Sequence, residues 1–291
     1  MLYIFSRTTG MRAREIMAPT IFINKLQIEQ LYNLYNSRQW VHPDPLEFLY
    51  NYSGLRDIEV AGLIASSLAY GRVNQILKSV SGVLEKMGPS PYNFLLSVTP
   101  SSLGRIFSDF KHRFTTGNDL ARMLIGAKSV IGKYGSLYDC FLSGYSDRDD
   151  TVLSGLSFLV NELGKGPDGL KNSLLALPEK GSACKRWNLY LRWMVRKDRV
   201  DLGGWAGISP SKLIIPLDTH MHRICLLMGL TERKNAGMRT ALEITEAFKK
   251  IEPEDPVRYD FALTRLGIRN DADLDAFLKR CYVGTEVKEG V

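Results

Sequence analysis

Residues 216–230 read PLDTHMHRICLLMGL, and the opening of that stretch marks the start of a helix. A proline restricts the residue before it, so Pro216 holds Ile215 away from helical geometry. Met221, Ile224, Cys225 and Met228 then recur at helical spacing. Asp218 falls just ahead of that stripe, at or near the N-cap. There a carboxylate accepts hydrogen bonds from the first free backbone N–H groups and faces the positive end of the helix dipole. Most aspartates before helices do only this, and on this stretch alone Asp218 reads as a cap. His220 and His222 stand two apart, which sends them to different sides of a helix and argues against a metal pair.

Upstream, residues 177–196 read LPEKGSACKRWNLYLRWMVR. A Pro/Gly turn leads into a helix with the stripe Trp187, Tyr190, Leu191, Met194 and Val195. Lys185 stands at the start of that helix. A neutral lysine amine is a nucleophile. Equally, a lone lysine at a helix start is a surface residue.

The helical period continues on both sides. Val73, Ile76, Leu77, Val80, Val83, Leu84 and Met87 follow it, as do Leu120, Met123, Leu124, Ala127, Val130 and Ile131. Val152, Leu153, Leu156, Leu159, Val160 and Leu163 repeat the pattern, and Leu242, Ile244, Phe248 and Ile251 precede Phe261, Leu263 and Leu266. Turn signals at Gly88-Pro89, Gly117-Asn118, Gly203-Gly204 and Glu252-Pro253 separate these stripes. Strand-like alternation is nearly absent. The pattern implies an all-α chain of roughly ten to thirteen short helices. The irregular stretch Asp198 to Ser211 is the expected crossing between two lobes. The expected organisation is a disordered arm at 1–19, a helical lobe of 20–55 plus 205–291 carrying the aspartate helix, and a helical lobe of 56–204 ending in the turn and the lysine helix. Met11 and Met17 are alternative start sites within the arm.

At 291 residues the chain can bury a substantial core. Cys140, Cys184, Cys225 and Cys281 are far apart with no Cys-x-x-Cys, which argues against a zinc site, an iron–sulfur cluster or a disulfide scaffold. No apolar run reaches the roughly 18 residues that a membrane span needs. A cytoplasmic protein without cofactor or metal, and a monomer, is expected. The net charge of +7 favours an anionic partner, nucleic acid among them.

The order of these pieces resembles the HhH-GPD superfamily of DNA glycosylases, including endonuclease III and the 8-oxoguanine glycosylases. Pro178, Gly181 and Lys185 match its hairpin and nucleophile, and Pro216, Leu217, Asp218, Thr219, His220 and Arg223 match its aspartate helix. Leu63 to Val80 resembles the helix–loop–helix that reaches into the duplex, and Ala241 to Ile268 resembles the closing helices. The resemblance runs from about residue 56 to 268 and is nearest the archaeal 8-oxoguanine branch. Glu179 stands where the family's hairpin has its first glycine. As a whole sequence, the chain looks most like an uncharacterised bacterial family.

The resemblance implies a two-lobed, HhH-GPD-like helical fold with a cleft between the lobes. It implies base-excision DNA repair: a glycosylase with β-lyase activity that removes an oxidised purine from duplex DNA, at the bacterial nucleoid. Lys185 would form a Schiff base with the sugar, and Asp218 would stabilise positive charge on it. Tyr70, Arg72, Asn74 and Gln75 would reach the duplex, with Tyr70 or Arg72 filling the vacated stack. Gly181, Arg186, His220 and Arg223 would contact DNA as well. Arg192, Arg196, Lys197 and Arg199 could add phosphate contacts, and Trp187 or Trp193 could stack on a base. Two other readings stay open: a non-catalytic nucleic-acid-binding or damage-sensing protein on the same fold, and a helical interaction protein in which Lys185 and Asp218 never meet.

Overall fold

Helix caps and apolar stripes set the architecture. The computed structural model describes residues 2–5, 21–165, 172–268 and 274–281. Within them the helices are α1 (Lys25–Tyr35), α2 (Leu55–Ser67), α3 (Val73–Met87), α4 (Pro91–Ser97), α5 (Pro100–Ile106), α6 (Gly117–Tyr134), α7 (Leu137–Ser143), α8 (Leu153–Leu163), α9 (Lys185–Val195), α10 (Thr219–Leu227), α11 (Met238–Lys249), α12 (Asp260–Ile268) and α13 (Leu274–Cys281). The fold is all-α. Its extended pieces are two short antiparallel pairs, β1 (Leu2–Phe5) with β2 (Ile21–Asn24) and β3 (Lys111–His112) with β4 (Thr115–Thr116). The arm expected at 1–19 contributes β1, and the rest of it lies outside the described residues.

Most residues of the expected stripes are buried. On α3 the buried side chains are Ile76, Val80, Val83, Leu84 and Met87. α6 starts at a capping box, in which Thr116 accepts from the Asp119 N–H and Asp119 accepts from the Thr116 N–H. It ends where Gly135 takes a left-handed conformation. Buried side chains from Ile28 on α1 to Cys281 on α13 form one contiguous cluster.

α9 runs through the middle of that cluster. Every residue from Trp187 to Val195 is buried, so this helix is covered all round and not on one face. It packs on α2, where Gly62 leaves room for the Tyr190 ring: a Cβ there would meet Tyr190 Cε2 at 3.1 Å. Trp187 and Trp193 are core residues at 2 % and 0 % exposure, which removes both from base stacking. The chain after α9 doubles back along it, with Gly203 N donating to Trp193 O at 3.0 Å and Trp205 N to Met194 O at 2.9 Å. The Trp205 ring lies among Tyr138, Phe141 and Tyr190, so the middle of the stretch expected as a crossing is anchored in the core.

Two arginines expected to meet phosphates are also inside. Arg192 donates to Asp201 at 3.1 and 3.2 Å and pairs with Asp260 on α12. Arg196 pairs with Asp201, with Asp198 at 3.0 Å and with Asp255 at 2.9 Å. Asp198 and Asp201 follow closely in the chain while Asp255 and Asp260 come from far along it, and the network ties α9 to α12. A buried guanidinium with this many carboxylates has no phosphate to hold, so Arg192 and Arg196 are structural. Burial pushes Asp260 up to about 6 even against the pull of Arg192.

Candidate active site

Lys185 and Asp218 owe their positions to two helix starts. Asp218 is the N-cap of α10, its Oδ1 accepting from the Met221 N–H at 2.9 Å. Lys185 is the first residue of α9, after Cys184 in a left-handed conformation with φ of 47°. Cys184 redirects the chain as it enters the helix and points Lys185 back towards α10. Its Nζ stands 3.7 Å from Asp218 Oδ2 and donates to Ala69 O at 3.3 Å. The two side chains are 29 % and 30 % exposed. The pair is therefore reachable by a ligand while its stems are packed.

Both face one cleft of about 750 Å³. Its walls are the loop after α2 (Ala69 to Arg72), Gln75 and Ile76 on α3, Arg113 on the β3–β4 turn, and Leu217 to His220 at the start of α10. Arg72, Arg113 and Lys185 line it against the single carboxylate of Asp218, so the cleft favours an anionic ligand. A smaller cavity of about 80 Å³ lies behind the pair, lined among others by Asp44, Thr264, Asp260 and Arg265. Another of about 190 Å³ opens towards Ser182 and Cys184. All three cavities meet at Lys185 and Ala69.

The structure sorts the other expected residues by what they touch. Arg72 and Gln75 are exposed and line the cleft, as does His220. Asn74 and Arg223 are exposed on α3 and α10 beside it. Tyr70 lines the cleft but is pinned, since its hydroxyl donates to His112 O at 2.8 Å and stands 2.6 Å from Thr115 Oγ1. Held this way, Tyr70 cannot swing into a base stack. The Arg186 guanidinium donates to Ser67 O and Ser173 O and sits 5.1 Å from the Tyr70 ring. It stitches α9 to the end of α2 from within the protein and leaves a phosphate little to bind. The Gly181 N–H is spent on Pro178 O at 3.1 Å, and its carbonyl accepts from the Met238 N–H at 3.1 Å. That turn is docked on the start of α11, and the Gly181 amide is not presented outward.

His222 is buried, its Nε2 bonded to Arg233 O at 2.7 Å, so it braces the segment after α10. Among the described residues no group of three His, Cys, Asp or Glu side chains is arranged to hold a metal. No helix among them is long and apolar enough to cross a membrane.

A family model described as Protein of unknown function (DUF2400) matches residues 44–269. The chain belongs to this family. The match spans the loop after α2, the start of α9 and the start of α10, and no glycosylase family matches. It corrects the kinship with the HhH-GPD superfamily drawn from Lys185, Asp218 and the turn at Pro178. The physical reason is that a capping aspartate and a lysine at a helix start belong to the grammar of helical proteins in general. The turn that would have been specific carries Glu179 in place of glycine. No curated protein and no solved structure matches. For this DUF2400 chain the functional reading therefore rests on the site. Sequence reasoning missed Arg113 and the β3–β4 turn, because KHRFTT has none of the Gly, Asn or Asp that usually marks a two-residue hairpin loop.

Proposed function

We propose that this protein is a DNA glycosylase with associated β-lyase activity that acts on an oxidised purine in duplex DNA. The observation that carries the reading is the Lys185–Asp218 pair, 3.7 Å apart in a cleft lined by Arg72 and Arg113. An N-glycosidic bond in a duplex is reached only when the nucleotide leaves the stack. The basic cleft suits an extruded nucleotide with its phosphates.

Asp218 accepts a proton from the Lys185 ammonium, either directly or through one water. The neutral amine attacks C1′ of the sugar. The bond from C1′ to the base breaks, and the base leaves with the electron pair and takes up a proton. Loss of the second amine proton and opening of the ring give an imine between Nζ and C1′. Removal of a proton from C2′ then expels the 3′ phosphate with the C3′–O bond electrons. Positive charge builds on the sugar during base departure, and the Asp218 carboxylate lies on hand to offset it. His220 at the rim of the same cleft is suited to a phosphate. The partner is DNA, no cofactor is needed, the protein works as a monomer, and the role implies a location at the nucleoid.

The second reading is a non-catalytic, damage-sensing DNA binder. It is favoured by the bond from Lys185 Nζ to Ala69 O, which serves equally as a structural tie. Borohydride reduction in the presence of duplexes bearing 8-oxoguanine or an abasic site separates the two. The glycosylase reading expects a covalent adduct that is lost in Lys185→Gln. Tight duplex binding without an adduct on either duplex supports the binder.

A further inference from the structure

Phe114 is 81 % exposed, the most exposed large apolar side chain among the described residues. With Arg113 it forms the two-residue turn of the β3–β4 hairpin. The rest of that hairpin is anything but free. His112 and Thr115 are 2 % and 0 % exposed. The His112 ring donates from Nε2 to Tyr70 O at 3.0 Å and accepts at Nδ1 from Ser79 Oγ at 2.9 Å. Burial keeps its pKa below the usual histidine range, consistent with that neutral ring. Tyr70 binds both sides of the hairpin through its hydroxyl. The turn is thus held rigidly from below while Phe114 projects outward.

Arg113 lies between the two aromatic rings, 5.9 Å from Tyr70 and 5.5 Å from Phe114. It has room because residue 71 is glycine: a Cβ there would stand 2.7 Å from Arg113 Cδ. On the far side of the hairpin runs a groove of about 480 Å³, lined by Lys78, Lys86, Lys111 and Arg113, with Asp109 the one acidic residue in its wall. Lys86 is partly engaged, donating to Ile106 O at 3.0 Å. Gln75 and Arg113 line this groove and also the cleft that holds Lys185, so the two are adjacent.

We infer that the groove and the hairpin tip form a second DNA-contact surface, in which Lys78 and Lys111 hold backbone phosphates and Phe114 stacks on a base next to the one taken into the cleft. The occupant is a DNA strand, on charge complementarity: a row of cations beside an outward aromatic is the pairing that single-stranded or opened nucleic acid uses, with phosphates on the cations and bases on the ring. The inference rests on the reading of the cleft as a DNA site. It moves the stacking role from pinned Tyr70 to Phe114.

The test uses the full chain and a duplex with an abasic-site analogue and 2-aminopurine as the neighbouring base. Binding is followed by anisotropy across a salt series, and base opening by 2-aminopurine emission. Phe114→Ala should bind about tenfold more weakly and lose most of the emission rise, while Phe114→Trp keeps both. Lys78→Ala with Lys111→Ala should lower the slope of log affinity against log salt by about 2. Phe114 is exposed, so the melting temperature should not move. If wild type binds the duplex and all three variants match it in affinity, slope and emission, the hairpin surface is refuted while the cleft reading stands. If wild type binds no duplex at low salt, both are refuted.

Discussion

Glu59 provides a sharp test of how α2 is held under the site. It lies on α2 at 1 % exposure. Trp205 Nε1 donates to Oε1 at 3.1 Å, the Leu137 N–H to Oε2 at 3.3 Å, and Arg56 Nη1 reaches Oε1 at 3.4 Å. Those contacts favour the charged carboxylate, but burial outweighs them and pushes its pKa up from 4.5 to about 7. The folded state therefore binds this proton more tightly than the unfolded chain does. Stability from this group is complete below pH 4.5 and is lost as pH rises through about 7. At 1.36 kcal/mol per pH unit the full loss is on the order of 3 kcal/mol by pH 8. Glu59→Gln cannot ionise, but its amide faces the Leu137 N–H with a donor, at a cost of about 1 kcal/mol. Urea unfolding at pH 4 and pH 8 should then cross over. The variant is the weaker protein at pH 4 by about 1 kcal/mol and the stronger at pH 8 by about 2 kcal/mol. Asp260 also titrates upward, but it is present in both proteins and cancels in the difference. If the two stability curves run parallel from pH 4 to pH 8, Glu59 does not carry the burial cost and the reasoning fails.

Other substitutions probe the site and its support. Asp218→Asn keeps a capping oxygen for the Met221 N–H and should shift stability by only a few tenths of a kcal/mol, whereas Asp218→Ala should lose about 1 kcal/mol in thermal unfolding. Both should form far less adduct, so a stable but poorly active Asn variant separates cap from chemistry. Arg192→Ala strands Asp260 in the interior and leaves Asp201 to Arg196 alone, and should cost about 3 to 5 kcal/mol, read as a lowered urea midpoint. Gly71→Ala meets Arg113 and a backbone φ of +99°, and should cost about 1 to 2 kcal/mol while weakening duplex binding through a displaced hairpin.

What was legible in the sequence was local. Pro216 followed by Asp218 and an apolar stripe puts the start of α10 at or near Asp218, which is its N-cap, and the stripe at Val73 to Met87 gives α3 its full length. Lys185 at the head of α9 was legible for the same reason. What stayed hidden depends on distant partners. Arg192 falls off the apolar stripe and reads as solvent-facing, but it is buried because Asp260 arrives from far along the chain and Asp201 from the segment that doubles back along α9. Tyr70 reads as a free loop tyrosine until His112 and Thr115 close over its hydroxyl. Phe114 carried no signal, because one phenylalanine in KHRFTT looks the same in a helix, a core strand or an exposed turn.

In the proposed reaction the Lys185 amine, with Asp218 beside it, is the group that bonds to the sugar. The most direct measurement is to trap the protein on an 8-oxoguanine duplex with borohydride, digest it and locate the modified residue by mass spectrometry. The expected result is a reduced sugar adduct on the peptide containing Lys185, absent in Lys185→Gln and sharply reduced in Asp218→Asn. An adduct on another lysine, or an equal yield from Lys185→Gln, would contradict it.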